Sequence, residues 1–213
     1  KVAMFENGEV DAIEQISSQY FGHLNEYLNS FVGGGIMFLW INQQGTSPET
    51  AALLSNQNFR QALNYGFDRS ATVNAVNPGY KAYNRLVDSN FAGPDGGKFV
   101  DEYPVETVPL SGDVDKAKEY LAAAMEELGY SDVSQLPQLE LITWDTSEQK
   151  LLLETIIDQW KQNLGLENIQ LTQYVIGTAI GSFYDLSYDL FAITWETDVL
   201  PTDIMEAMVT GGE

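Results

Sequence analysis

The sequence predicts an α/β fold: an open sheet with helices packed on both of its faces. Two observations carry that expectation. "QLELITW" at 138–144, "TSEQKLLLETIIDQWKQNLG" and "IQLTQYV" read in turn as strand, long helix and strand, and a right-handed crossover makes the two strands parallel if they share a sheet. In "YDLFAITW", Phe191, Ile193 and Trp195 alternate with Leu190, Ala192 and Thr194, so this further strand leaves neither face for water.

The remaining elements follow from local chemistry. The apolar run Ile36 to Ile41 fits a central strand buried on both faces and closed by Asn42 and Gly45. The glycines at 33–35 before it do not form a phosphate loop, because no helix and no Lys-Ser/Thr pair follows them. "SNQNFRQALNYGFDRSATVNAV" reads as one helix, with Phe59, Ala62, Leu63 and Phe67 on a stripe and Asn56 or Asn58 capping its start. Pro78-Gly79 turns the chain. Residues 80–111, rich in Gly, Pro, Asp and Asn, form a long irregular excursion over the surface.

"GDVDKAKEYLAAAMEELGY" predicts an amphipathic helix with Val114, Ala117, Leu121, Ala124 and Leu128 facing a core, Asp113 as its N-cap and Gly129 as its stop. The next long helix opens on a Thr146 to Gln149 capping box and stops at Gly165. In the strand after it, Ile169, Leu171 and Val175 share a face.

Composition narrows the function. With 213 residues, 44% of them apolar, the chain can bury a substantial core. Its 31 acids against 10 Lys and Arg give a formal charge of −21, which repels phosphate backbones and anionic lipid surfaces. Nucleic acid is therefore not expected as a partner, whereas cationic and zwitterionic solutes are admitted. With no cysteine, disulfides, thiolate metal sites and cysteine nucleophiles are excluded. No run reaches the length of about 18 apolar residues that a membrane helix needs. The chain opens without an initiator Met or a signal-peptide pattern, like the interior of a domain, and is expected to be a fragment whose targeting signal is missing.

Catalytic constellations are thin. A Ser-His-Asp triad would rest on His23, the single histidine, whose polar neighbours read as surface. Glu140, Trp144, Asp145 and Glu148 resemble a glycosidase pair less than a strand leading into a helix start. Asp113 and Asp115 begin like a calcium loop, which Ala117 and the helix break, so no metal or cofactor is expected. Arg60, Asp68 and Arg69 read as a helix-end ion pair with surface contacts, not an anion site. The stretch "YDLFAITWETDVLPTD" raises the sharpest question, because it ends a buried strand in Trp195, Glu196 and Asp198 just before Pro201. A carboxylate there is costly to desolvate unless it caps something or meets a cation. Asp198 can cap a helix over "PTDIMEAM" or face a ligand, since ligands of open sheets gather beyond strand carboxyl ends. Trp195 can be a core aromatic or part of that surface.

The order of "ENGEVDAIEQIS", "FLWIN", "FRQALNYGFDRS", "DVDKAKEYLAAAMEELGY" and "YDLFAITWETD" resembles the family 5 extracellular solute-binding proteins, the dipeptide and oligopeptide receptors of ABC importers. The resemblance implies a periplasmic binding protein type II-like lobe, a mixed sheet flanked by helices. It implies that residues 1–16 are a hinge crossing between lobes and 17–213 a truncated second lobe, with the first lobe missing. It implies capture of a peptide or another small solute such as an oligosaccharide, delivery to ABC permease subunits, and no enzymatic activity; a carboxylate-dependent hydrolase is the competitor from another class. The site would be periplasmic or on the extracellular face, lipid-anchored. In such peptide receptors a Trp followed three residues later by Asp sets a carboxylate against the ligand's α-ammonium group. Trp195 and Asp198 match that spacing, so the resemblance marks Trp195, Glu196, Thr197 and Asp198 as ligand-binding. Pro201 follows Asp198 by three residues where the family usually has four.

Overall fold

The computed structural model describes residues 1–13, 16, 18–29, 35–77 and 79–196. The described strands are β1 (Gly35–Ile41), β2 (Leu139–Trp144), β3 (Ile169–Tyr174) and β4 (Leu190–Glu196), in the order β1-β4-β2-β3. The helices are α1 (Val2–Glu6), α2 (Pro48–Ser55), α3 (Gln57–Tyr65), α4 (Arg69–Val76), α5 (Phe99–Glu102), α6 (Val114–Leu128), α7 (Ser147–Leu164) and α8 (Ile176–Tyr184). As the crossover rule requires, β2 and β3 are parallel, in register from Leu139↔Ile169 to Trp144↔Tyr174. β4 is parallel to β2 and antiparallel to β1, making the sheet mixed.

Strand parity divides the core into two layers. Leu139, Leu141, Leu190, Ala192 and Ile169 face a large cluster with α2, α3, α6 and α7, in which Phe59, Leu63, Leu153 and Trp160 are sealed from solvent. The Trp160 indole N–H donates to the Leu63 carbonyl at 2.8 Å, so the largest buried ring carries no unpaired donor. On the other face Ile142, Phe191 and Ile193 meet Ala179 and Phe183 of α8, with Tyr188 stacked on Phe183 at 5.8 Å.

The helix ends obey their caps. Asp113 accepts from Lys116 N–H and Thr146 from Gln149 N–H; Gly129 and Gly165 close α6 and α7 at φ +78° and +73°, in the left-handed region. The box expected at Thr146 is only half formed: its own N–H donates to the Trp144 carbonyl, and Gln149 Oε1 is buried without a partner.

Three expectations are corrected. β1 is not central: among the described residues it forms a lateral edge of the sheet and is partly rather than fully buried, while β4 takes the interior position. The continuous helix expected over 55–76 is two helices. At Gly66 a side chain would come within 2.8 Å of the Ala62 carbonyl and of Leu164, so α7 packs too closely for anything larger, and Asp68 then caps α4 by accepting from Ala71 N–H. Arg69 makes no ion pair with Asp68; it donates to the Asn64 carbonyl at 3.1 Å and lies 4.3 Å over the Phe67 ring, while Arg60 donates to the Leu54 and Ser55 carbonyls at the end of α2.

The excursion over 80–111 is irregular, as expected, but internally tied. Asn84 donates to the Val108 carbonyl, Arg85 to that of Val100, and the Glu102 carboxylate receives the N–H groups of Asp95 and Gly97. At the amino end, Phe5 meets Tyr27 edge-on and His23, largely exposed, pairs with Glu6. An open hollow of about 340 Å³ there is lined by Lys1, Met4, Val10, Ala12 and Ile13.

Candidate functional site

The parallel strands β2, β3 and β4 all end at one rim of the sheet, where the antiparallel β1 begins. Trp144 pairs with Tyr174, and Gly35 with Glu196, across this rim. The turn out of β2 is fastened to β3: Asp145 N–H donates to the Tyr174 carbonyl at 2.8 Å, and the Gln173 amide donates to the Thr146 carbonyl at 3.1 Å. One turn further, Glu148 receives the Asn77 side-chain amide at 2.5 Å and also hydrogen-bonds Tyr80. Burial, followed by the Glu148 charge, raises the Tyr80 hydroxyl above its ordinary value. Of the acids of the supposed glycosidase pair, Glu148 is thus engaged by Asn77 and Tyr80. Glu140 stands near the start of β2 and Glu148 beyond its end, so the two are not brought together.

The sequence-predicted ligand residues fall at this rim only in part. The backbones of Trp195 and Glu196 complete β4, opposite Ile36 and Gly35. Their side chains, and Thr197 and Asp198 entirely, lie outside the described residues.

Two features escape the sequence reading. The first is α8. Val175, expected on the face shared by Ile169 and Leu171, instead stands past the end of β3 at the α8 N-cap, without a side-chain cap, and is 68% exposed; Ile176 beside it is 60% exposed. The i, i+3 and i+4 spacing of Ile176, Ala179, Ile180 and Phe183 was the available signal, masked by Gly177 and Gly181.

The second is Asp189, at the opposite end of β4. Only 2% exposed, its carboxyl group accepts from Thr46 N–H and Thr46 Oγ1, both at 2.9 Å, and from Glu140 N–H at 3.1 Å. Asn42 works beside it, donating to the Leu186 and Tyr188 carbonyls and accepting from Gln44 N–H. These two side chains join the end of β1 to the starts of β2 and β4. An acid heading an apolar run, with an Asn closing another, was the signal for this lock.

A curated relative, the oligopeptide-binding protein OppA of Bacillus subtilis, is 28% identical over 145 residues, which is 68% of this chain and 25% of that protein. The fold matches Listeria monocytogenes OppA bound to peptide, with a TM-score of 0.82 at 21% identity, over 99% of this chain and 41% of that one. It also matches Haemophilus influenzae OppA in complex with the peptide RPPGFSPFR, with a TM-score of 0.75 at 19% identity, over 99% of this chain and 40% of that one. The chain therefore spans about a quarter of the curated relative and about two fifths of these solved neighbours. The model of the bacterial extracellular solute-binding proteins, family 5 Middle, matches residues 1–212, and the chain belongs to that family.

Proposed function

We propose that this chain is the second lobe of a peptide receptor serving an ABC importer, with residues 1–16 as the crossing to the first lobe. The observation that carries the reading is the course of β4: an interior strand runs out at the rim where parallel strands end, two residues before Asp198 in the sequence. Family membership supports it, as does the oligopeptide-binding activity in the relative's name. In this reading Asp198 receives the α-ammonium group of the peptide, with Trp195, Glu196 and Thr197 forming the adjoining wall. Such a charge-assisted bond contributes about 1.5–3 kcal/mol, enough to orient one end of a peptide. The remaining affinity comes from main-chain pairing along an extended ligand and from closure of the two lobes over it. The receptor works in the periplasm or, lipid-anchored, on the extracellular face, and hands its ligand to permease subunits.

The test uses the intact receptor. Asp198→Asn should weaken binding of peptides with a free amino terminus by about 10–100-fold and leave their N-acetylated counterparts nearly unchanged. Equal loss for both sets would remove Asp198 from this role.

A further inference from the structure

We infer that Asn7 is a self-modification site, where the side-chain amide is lost as ammonia and the main chain is rerouted through the side chain. Asn7-Gly8 is the one Asn-Gly pair in the chain. Both residues are exposed, and the turn they form closes α1. Gly8 N–H donates to the Phe5 carbonyl at 3.0 Å and Glu9 N–H to the Met4 carbonyl at 2.8 Å, with Gly8 at φ +71°. Such a stop calls for glycine. α6 and α7 also stop on a glycine of positive φ, but there the residue before it is Leu128 or Leu164, which offers no electrophile. At α1 the stop puts a carboxamide one residue ahead of an unhindered backbone nitrogen.

The reaction consumes only water. The Gly8 nitrogen gives its proton to solvent and attacks Cγ of Asn7; the new C–N bond closes a succinimide ring as the Cγ–Nδ2 bond breaks and ammonia leaves. Water then adds to either ring carbonyl and opens the ring to aspartate or to isoaspartate, in which the main chain runs through Cβ and Cγ. Attack requires Gly8 N–H to leave the Phe5 carbonyl and Asn7 ψ to turn away from −3°. Little opposes that opening, because α1 has five residues, no side-chain cap and no buried residue, and so short a helix does not hold by itself. Nothing beyond the adjacent residues lies within 4 Å of where a Cβ on Gly8 would stand, so the ring forms in open space. Asp95-Gly96, open to the same ring closure, is tied down instead. Gly96 N–H donates to the Gly93 carbonyl at 3.1 Å, and the Glu102 carboxylate holds the N–H groups of Asp95 and Gly97. The product changes the turn: the Asn7 amide donates to Glu9 at 3.3 Å, and a carboxylate in its place meets Glu9 as a like charge. The modification does not depend on the receptor reading; on that reading it falls within the crossing between lobes.

The experiment incubates the intact protein in mildly alkaline buffer made with water enriched in heavy oxygen. Its peptides are mapped over time by mass spectrometry, with isoaspartate located by electron-transfer fragmentation. Conversion should appear at Asn7 ahead of every other asparagine, with isoaspartate as the major product and heavy oxygen in the new carboxyl group. Gly8→Asn, which tolerates positive φ but hinders the attacking nitrogen, should slow conversion at position 7 several-fold. Asn7→Gln, whose longer side chain would have to close a larger ring, should abolish it. Suppose instead that Asn7 stays intact while the synthetic peptide Met-Phe-Glu-Asn-Gly-Glu-Val converts in the same buffer. The folded turn then protects Gly8 N–H, and the inference is overturned. Conversion at Asn7 no faster than at the other asparagines overturns it as well.

Discussion

The two ends of β4 differ: one is closed by a buried carboxyl group, and the other opens on the rim where the parallel strands end. At the base, Asp189 is buried and fully engaged by Thr46 and the Glu140 backbone, with Asn42 gathering the neighbouring carbonyls. At the rim, the described part of the strand ends at Glu196, and the start of α8 beyond β3 is apolar and exposed. A polar group removed from water has to find partners, and at the base the protein supplies them itself. The base is where the fold is locked; the rim, in our proposal, is completed by a guest.

The contrast can be broken by substitution, the largest effect first. Asp189→Ala leaves Thr46 Oγ1 and Glu140 N–H without their acceptor inside the protein and should lower stability by about 2–4 kcal/mol, read as a shift in the urea midpoint. A loss below about 1 kcal/mol would mean that water reaches the base and that the two ends do not differ in kind. Asp198→Asn should do the reverse, costing about 1.5–3 kcal/mol of binding to free-amino peptides while the unfolding midpoint stays in place. A large stability loss there would make Asp198 a cap and the rim a second lock.

Tyrosine titration sharpens the comparison. Burial raises the hydroxyl of Tyr188 at the base above its ordinary value, and burial with the Glu148 charge does the same for Tyr80 near the rim. The unfolded chain therefore loses these protons first. The stability they contribute is complete below about pH 10 and is lost as pH rises toward the folded values. Melting temperature should fall in that window, and Tyr188→Phe should flatten the fall. The smallest effect belongs to Val175→Ser, which supplies the missing α8 cap and should stabilise the lobe by about 0.5–1 kcal/mol in thermal melts. Destabilisation would mean that the exposed valine is already covered within the lobe.

Much of this architecture was legible because it depends on short-range rules. Asp113, Thr146, Gly129 and Gly165 bound α6 and α7 where capping chemistry puts them, and the β2-α7-β3 crossover follows from handedness. What was not legible depends on long-range packing. Nothing near Gly66 announces that Leu164, about a hundred residues on, leaves no room for a side chain there. The interior-looking run of β1 ends at a lateral edge because its position depends on which strand it pairs with, and only β4 does so among the described residues. Asp189 is acidic by composition and structural by context, since its donors come from segments 143 and 49 residues away. At the rim the sequence pointed to Trp195 and the residues after it but not to Val175 and Ile176, because two glycines weaken the helical pattern that exposes them.

The position of Asp189 has a consequence for how such a receptor can diversify. The residues that hold the strands in register lie a full strand length from those proposed to choose the cargo, so a change at one end need not propagate to the other. A lineage can then exchange its rim residues repeatedly and acquire new appetites while drawing on the same chassis.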